Sequence, residues 1–387
     1  MNVLERMEAI DAKKKMADFQ VKQAQDYNFK KSYARIRVRE FVQQCDERGY
    51  NYHVSVGGLD SITLWLFIRS LGYDPIGISA SYLEDKSIVK VHRALGIECV
   101  KPITYEDEKG KKRTYTKARI IQEFGFPVLS KEIAGKIDTL QHPTEKNKTV
   151  RHAIITGETG EYGGYQKNSR MKMSQKWLNL FGGYENETEG TDYKTPDFKV
   201  SSKCCYYLKE KPCDDWAREH HSVPFLGMMA SEGGRREKSL KIHGCNYWGK
   251  TTIRSCPFAI FSRQDLLQLA LEMDKYYRSI KDTLRTEGVK SGRLTESFEM
   301  PESIIPKIYG EISEDENGTL RTTKAQRTGC AMCGFGIHLE KRPHRFDLLR
   351  ERNEKEWYYW MYECCTDEHG NKFGWAKVLD YIGVEYL

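Results

Sequence analysis

Apolar residues in this chain gather in short runs punctuated by glycine. His53-Val54-Ser55-Val56 reads as a buried strand, Gly57-Gly58 breaks it, and Ser61–Leu71 (SITLWLFIRSL) is an apolar helix closed by Gly72. The unit repeats at once. Pro75–Ser79 reads as a strand, Ser87–Leu95 as a helix stopped by Gly96, and Glu98–Val100 as a third strand. Val223–Ala230 adds another, and Ser262-Arg263-Gln264-Asp265 is a capping box that opens a helix through Met273. Strands alternating with helices predict an α/β fold, a Rossmann-like parallel sheet with helices on both faces.

The pattern divides the chain into four parts. Residues 1–48 are polar, lysine-rich and weakly periodic, a helical N-terminal arm. Residues 49–273 form an α/β domain, 274–300 a charged helical insertion, and 301–387 a C-terminal segment packed on the core through Trp357, Trp360, Trp375 and neighbouring tyrosines. Within the domain, residues 157–200 are rich in Gly, Tyr, Asn and Lys and read as a long loop, a length that is usually functional. Its Arg170, Lys172 and Lys176 stand among aromatic residues, which reads either as a solvated surface loop or as a cleft that holds single-stranded nucleic acid by stacking and charge.

Composition narrows the class. The chain has 387 residues, 39% of them hydrophobic, enough for a large core. The first residues lack the apolar stretch of a signal peptide, and no run approaches the roughly 20 apolar residues of a membrane helix, so a cytoplasmic protein without a membrane partner is expected. A net charge of +7 suits phosphorylated ligands and permits nucleic acid. In a reducing compartment, 11 cysteines read as thiols and metal ligands.

Two of the cysteine clusters carry chemistry. Cys204 and Cys205 are adjacent, and Cys330-Ala331-Met332-Cys333 is a CxxC whose sulfurs can point at one metal. The gap between them is far too long for a zinc finger, so tertiary folding would have to close such a cage. Gly329, Gly334 and Gly336 flank the CxxC, where a glycine lets backbone pass close to a bulky cluster. Separately, Gly57-Gly58 at the carboxyl end of the first strand would expose N–H groups to a phosphate, helped by the dipole of the helix that follows.

These residues carry a family resemblance. Val54 to Ser61 (VSVGGLDS) resembles the SGGKDS loop of the PP-loop enzymes. Ser202–Lys209 with Cys204 and Cys205, Gly227–Glu232 followed by Arg235 and Arg236, Gly244-Cys245-Asn246, and Gly329–Gly336 resemble the phosphoadenosine phosphosulfate reductase family, in its iron-sulfur phage and bacterial reductase-like branch. The motifs span about residues 50 to 340 and keep the family's order. The resemblance implies a PP-loop type sheet, with a C-terminal cluster-binding segment. It implies that Ser55, Gly57, Gly58, Asp60, Ser61, Glu232, Arg235 and Arg236 bind ATP or an adenylyl-sulfate-type nucleotide, with magnesium as a further candidate. It also implies a 4Fe-4S cluster on Cys204, Cys205, Cys330 and Cys333, with Cys245 as the replacement ligand.

The chain departs from the pattern at three places. Val56 and Leu59 stand where the loop has Ser and Lys, so Leu59→Lys is expected to strengthen nucleotide binding, and Met229 replaces an arginine. The family's C-terminal nucleophile has only Glu363-Cys364 as a counterpart, a weak candidate catalytic cysteine. The expected function is therefore an adenine-nucleotide-binding iron-sulfur enzyme of sulfur chemistry, a sulfurtransferase or a phosphoadenylyl-sulfate reductase-like oxidoreductase, with a sulfur donor or reductant protein as partner. One alternative is a true adenylyl-sulfate or phosphoadenylyl-sulfate reductase using Cys364. The other is a nucleotide- or nucleic-acid-binding module with a structural cluster.

Overall fold

The computed structural model describes residues 3–159, 170–185, 192–326, 330 and 332–387. The chain forms two compact units, residues 1–101 with 212–330, and residues 102–211 with 331–387.

The first unit is built on a six-stranded sheet. In chain order its strands are β1 (Asn51–Ser55), β2 (Ile76–Ser79), β3 (Glu98–Cys99), β4 (Ser222–Phe225), β5 (Asn246–Trp248) and β6 (Ile253–Ser255), and their spatial order is β3-β2-β1-β4-β6-β5. All neighbours are parallel except the β5–β6 pair. The expected α/β class with a mostly parallel sheet is therefore present. The strand read over residues 223–230 is Ser222–Phe225, and past it Leu226 N–H still donates to Ser255 O of β6 at 2.8 Å before the chain turns at Gly227.

Two helices precede the sheet, α1 (Val3–Gln23) and α2 (Tyr27–Arg48). The second is started by the Asp26 side chain, which accepts from Phe29 N–H, and ended by Gly49 at φ 71°. Its buried residues Lys30, Ala34, Val38, Phe41, Val42 and Cys45 recur at helical spacing and form one stripe in the core of this unit. Phe41 meets Phe225 of β4 edge to face at 4.9 Å. Half of the expected arm is thus core.

The helix after the glycine turn, α3 (Leu59–Ser70), buries Leu59 and every residue from Ile62 to Ile68, which is why its sequence is apolar all round. Next comes α4 (Lys86–Leu95), begun by Asp85 and ended by Gly96. Helix α5 (Gly234–His243) follows the Glu232 segment, and α6 (Arg263–Lys290) starts at the Ser262 capping box. The last runs unbroken for 28 residues, so the charged stretch 274–290 is its second half.

The second unit has its own core, centred on Phe126, Phe181, Phe346 and Trp375. Helices Lys117–Phe124, Lys131–Gln141, Lys148–Thr156, Arg345–Arg352 and Trp375–Ile382 surround it. Within the expected long loop, Gln175–Phe181 is a helix that buries Trp177, Leu178 and Phe181 in that core. Of the three cations named there, Lys176 lies over the Trp177 ring at 4.7 Å, and the Arg170 carbonyl accepts from Lys136. Residues 160–169 and 186–191 of that loop lie outside the described residues.

Candidate functional site

The glycine turn of the first unit sits where the sheet order runs away from β1 in two directions, toward β2 and toward β4. In open α/β sheets, ligands bind at the carboxyl ends of the strands flanking such a point. The turn after β4 reaches the same place. A Cβ on Gly227 would lie 3.2 Å from the carbonyl carbon of Asp60 and from Ser61 backbone, so that turn rests directly on the first residues of α3.

Backbone and side-chain groups at the turn are tied together by hydrogen bonds. Gly57 N–H donates to Ser61 Oγ at 2.7 Å, and the same hydroxyl donates to Gly58 O at 3.0 Å. The Gly57 carbonyl meets His92 Nε2 at 2.8 Å, while His92 Nδ1 meets Ser81 Oγ at 3.0 Å. Asp60 pairs with Arg263 at 2.7 Å, both partly exposed. Leu59 N–H donates to the hydroxyl of Tyr309 at 3.2 Å. Ser55 ends β1 two residues before Gly57.

Of the expected anion contacts, Glu232 accepts from Arg236 at 3.0 Å and from Met229 N–H at 3.4 Å. The Arg235 side chain lies outside the described ones. Leu59 is fully buried beside Ile88, Leu267, Ala270 and Tyr309. A lysine at position 59 would therefore bury an ammonium among apolar groups, which overturns the expectation that Leu59→Lys strengthens binding. Sequence reasoning missed His92, Arg263 and Tyr309. Arg263 had a signal, since it stands inside the capping box; the other two had none.

The second unit holds Cys204, Cys205 and Cys333, whereas Cys330 ends the contact range of the first. Cys204 is buried and Cys205 partly exposed, on a short helix Lys203–Cys205 that continues as a π-helical turn Tyr206–Glu210. Lys131, at the start of helix Lys131–Gln141, pairs with Glu210 at 2.8 Å and also donates to the Cys205 sulfur. Burial pulls the Lys131 ammonium down, but Cys205 and Glu210 outweigh it and hold the group above its ordinary range.

The CxxC segment reaches the same helix start from another side. Gly334-Phe335 pairs in parallel with Val128-Leu129, and Gly336 N–H donates to Leu129 O at 2.7 Å, one residue before the Ser130 cap. Arg345 clamps the turn by donating to the carbonyls of Cys333 (3.1 Å) and Phe335 (3.2 Å). Met332 is held at φ 54°, a conformation that costs a non-glycine residue roughly 1 kcal/mol. A Cβ on Gly334 would lie 2.4 Å from the Trp375 ring, so packing within this unit already requires that glycine.

Thiols are the donor type an iron-sulfur cluster takes. Among the described residues, no group of three or more His, Cys, Asp or Glu side chains is close enough to hold a metal ion. Cys245 belongs to the first unit and is fully buried in its core, bonded to the Tyr33 hydroxyl, its thiol pushed up to about 12 by burial and by neighbouring Cys256. The tail cysteine Cys364 is buried too, its thiol donating to Trp360 O at 3.3 Å. No helix among the described residues is long and apolar enough to cross a membrane. No family model, curated protein or solved structure matches the chain.

Proposed function

We propose that the chain is an adenine-nucleotide-binding iron-sulfur enzyme of sulfur chemistry, similar in kind to the phosphoadenosine phosphosulfate reductases and their sulfurtransferase relatives. The observation that carries this reading is the Gly57-Gly58 turn at the branch point of a mostly parallel sheet, with the Gly227 turn seated on the same helix start. Backbone N–H groups of Gly57, Gly58 and Leu59 would bind the phosphates, Asp60 would face a magnesium ion, and Arg235 and Arg236 would hold a terminal phosphate or sulfate. The thiolates of Cys204, Cys205, Cys330 and Cys333 would hold the cluster. When bound, it would supply electron or sulfur carriage. Lys131, already donating to Cys205, would orient that ligand.

Burial of Cys364 weighs against the reductase alternative, which needs an accessible thiolate there. That favours sulfur transfer, with a nucleic acid among the acceptors and a reductant or sulfur-donor protein as partner.

The test combines iron and sulfide analysis of anaerobically purified protein with calorimetry against ATP and adenylyl sulfate. Gly58 has φ −79°, so Gly58→Val leaves the backbone unstrained while blocking phosphate approach. It should weaken nucleotide binding by about tenfold or more, the value of one charge-assisted contact. Unchanged affinity, or a protein containing zinc without labile sulfide, would sink the corresponding half of the proposal.

A further inference from the structure

Leu59 N–H is the first helical donor of α3, and an incoming phosphate would need it. The Tyr309 hydroxyl occupies that place, and the Tyr309 ring is buried beside Leu59, Ile88, Leu267 and Ala270. Tyr309 is delivered by residues 301–326, which contain a small antiparallel hairpin pairing Ile312–Glu314 with Leu320–Thr322.

This segment is fastened on both sides of the turn. Ile304 N–H donates to Asp274 Oδ1 at 2.9 Å and Ile308 N–H to Ser87 Oγ at 3.2 Å. Gln264 exchanges two hydrogen bonds with the Leu320 backbone, at 2.9 and 2.8 Å. Arg263 joins the segment to the turn itself, one nitrogen on Asp60 (2.7 Å) and the other on the Gln326 carbonyl (3.1 Å). Meanwhile Gly57 N–H is bonded by Ser61. Two of the N–H groups a phosphate would use are therefore already engaged by hydroxyls of the protein.

We infer that residues 301–326 are a strap that closes the glycine turn, with Tyr309 as its plug, so that strap docking and binding of an adenine nucleotide's phosphates exclude each other. The inference rests on the nucleotide reading above. The physical reason is space: a phosphate oxygen within hydrogen-bond distance of Leu59 N–H takes the position held by the phenol oxygen. A charged phosphate is the stronger acceptor and displaces the neutral phenol, but its apparent affinity is lowered by the fraction of molecules whose strap is docked. Release of Gln326 would also loosen Arg263 beside Asp60, delivering a cation where Leu59 supplies none.

The test uses the full chain, ATP as the probe, and two variants. Tyr309→Phe keeps the ring and removes the hydroxyl; Gln264→Ala removes the two bonds to Leu320. Each should tighten ATP binding in calorimetry by roughly three- to tenfold, the value of about one net hydrogen bond, and should speed hydrogen exchange at the Leu59 amide. ATP binding by the unaltered protein that Tyr309→Phe leaves unchanged or weakens overturns the strap alone. Absence of ATP binding in all three proteins overturns the nucleotide reading and the competition with it.

Discussion

Two pairs of adjacent cysteines lie in the second unit, and each abuts a π-helical turn: Cys204-Cys205 precede Tyr206–Glu210, and Cys364-Cys365 follow Tyr359–Glu363. The housing differs. Cys205 is partly exposed and takes a hydrogen bond from the Lys131 ammonium. Cys364 and Cys365 are both buried, their sulfurs 4.0 Å apart, and the Cys365 thiol is pushed up by its bond to Cys364 and then by burial. A lysine beside a sulfur stabilises the thiolate, the form that binds metal and reacts, whereas a second thiol and an apolar wall stabilise the neutral form. The same dipeptide thus has an ammonium and solvent beside it at one place and a second thiol in an apolar core at the other.

The largest expected effect separates the pairs outright. Serine at Cys204, Cys205, Cys330 or Cys333 should strip iron and sulfide from anaerobically purified protein, while Cys364→Ser and Cys365→Ser should retain both. Equal loss from the two pairs, read by iron and sulfide content and visible absorbance, would erase the distinction.

A smaller effect should appear in metal-free protein. Iodoacetamide should label Cys205 faster than Cys364 or Cys365 by on the order of tenfold, since labelling a buried thiol waits for local opening. Lys131→Ala should slow Cys205 and leave the tail pair unchanged. Peptide mass spectrometry over time reads both. Tail cysteines that label as fast as Cys205 would mean that their burial is not protective.

How far these places could be read from sequence depends on how local their causes are. The strand, glycine turn and helix around Gly57 announce themselves within twenty residues, and β1, β2, β3, α3 and α4 came out where the pattern put them, within a few residues at the ends. The α2 stripe was obscured because Arg35, Arg37, Arg39 and Glu40 on the other faces dominate the composition. Gly334 is required by Trp375, far along the chain, and the glycines flanking the CxxC were read instead as room for a cluster. Tyr309 meets Leu59 across 250 positions, a pairing no local pattern encodes. The glycine turn itself was legible, and what fills it was not.

The smallest effect lies in stability. Cys365 is 2% exposed in a core with Trp375 and Phe126, so Cys365→Ala removes a sulfur that its neighbours pack against. That should cost about 1 kcal/mol from lost transfer energy and a small cavity. Cys365→Ser should cost at least as much, because a hydroxyl taken from water into that wall needs a partner and the nearest sulfur, on Cys364, accepts poorly. At Cys205 the balance reverses. Its side chain is partly exposed, and a serine oxygen can still accept from Lys131, so Cys205→Ser in metal-free protein should stay within about 0.5 kcal/mol of the unaltered chain. Urea unfolding followed by tryptophan fluorescence ranks the three variants. If Cys205→Ser proves the most destabilising, that cysteine is a packing residue like the tail pair, and the contrast between the two pairs fails.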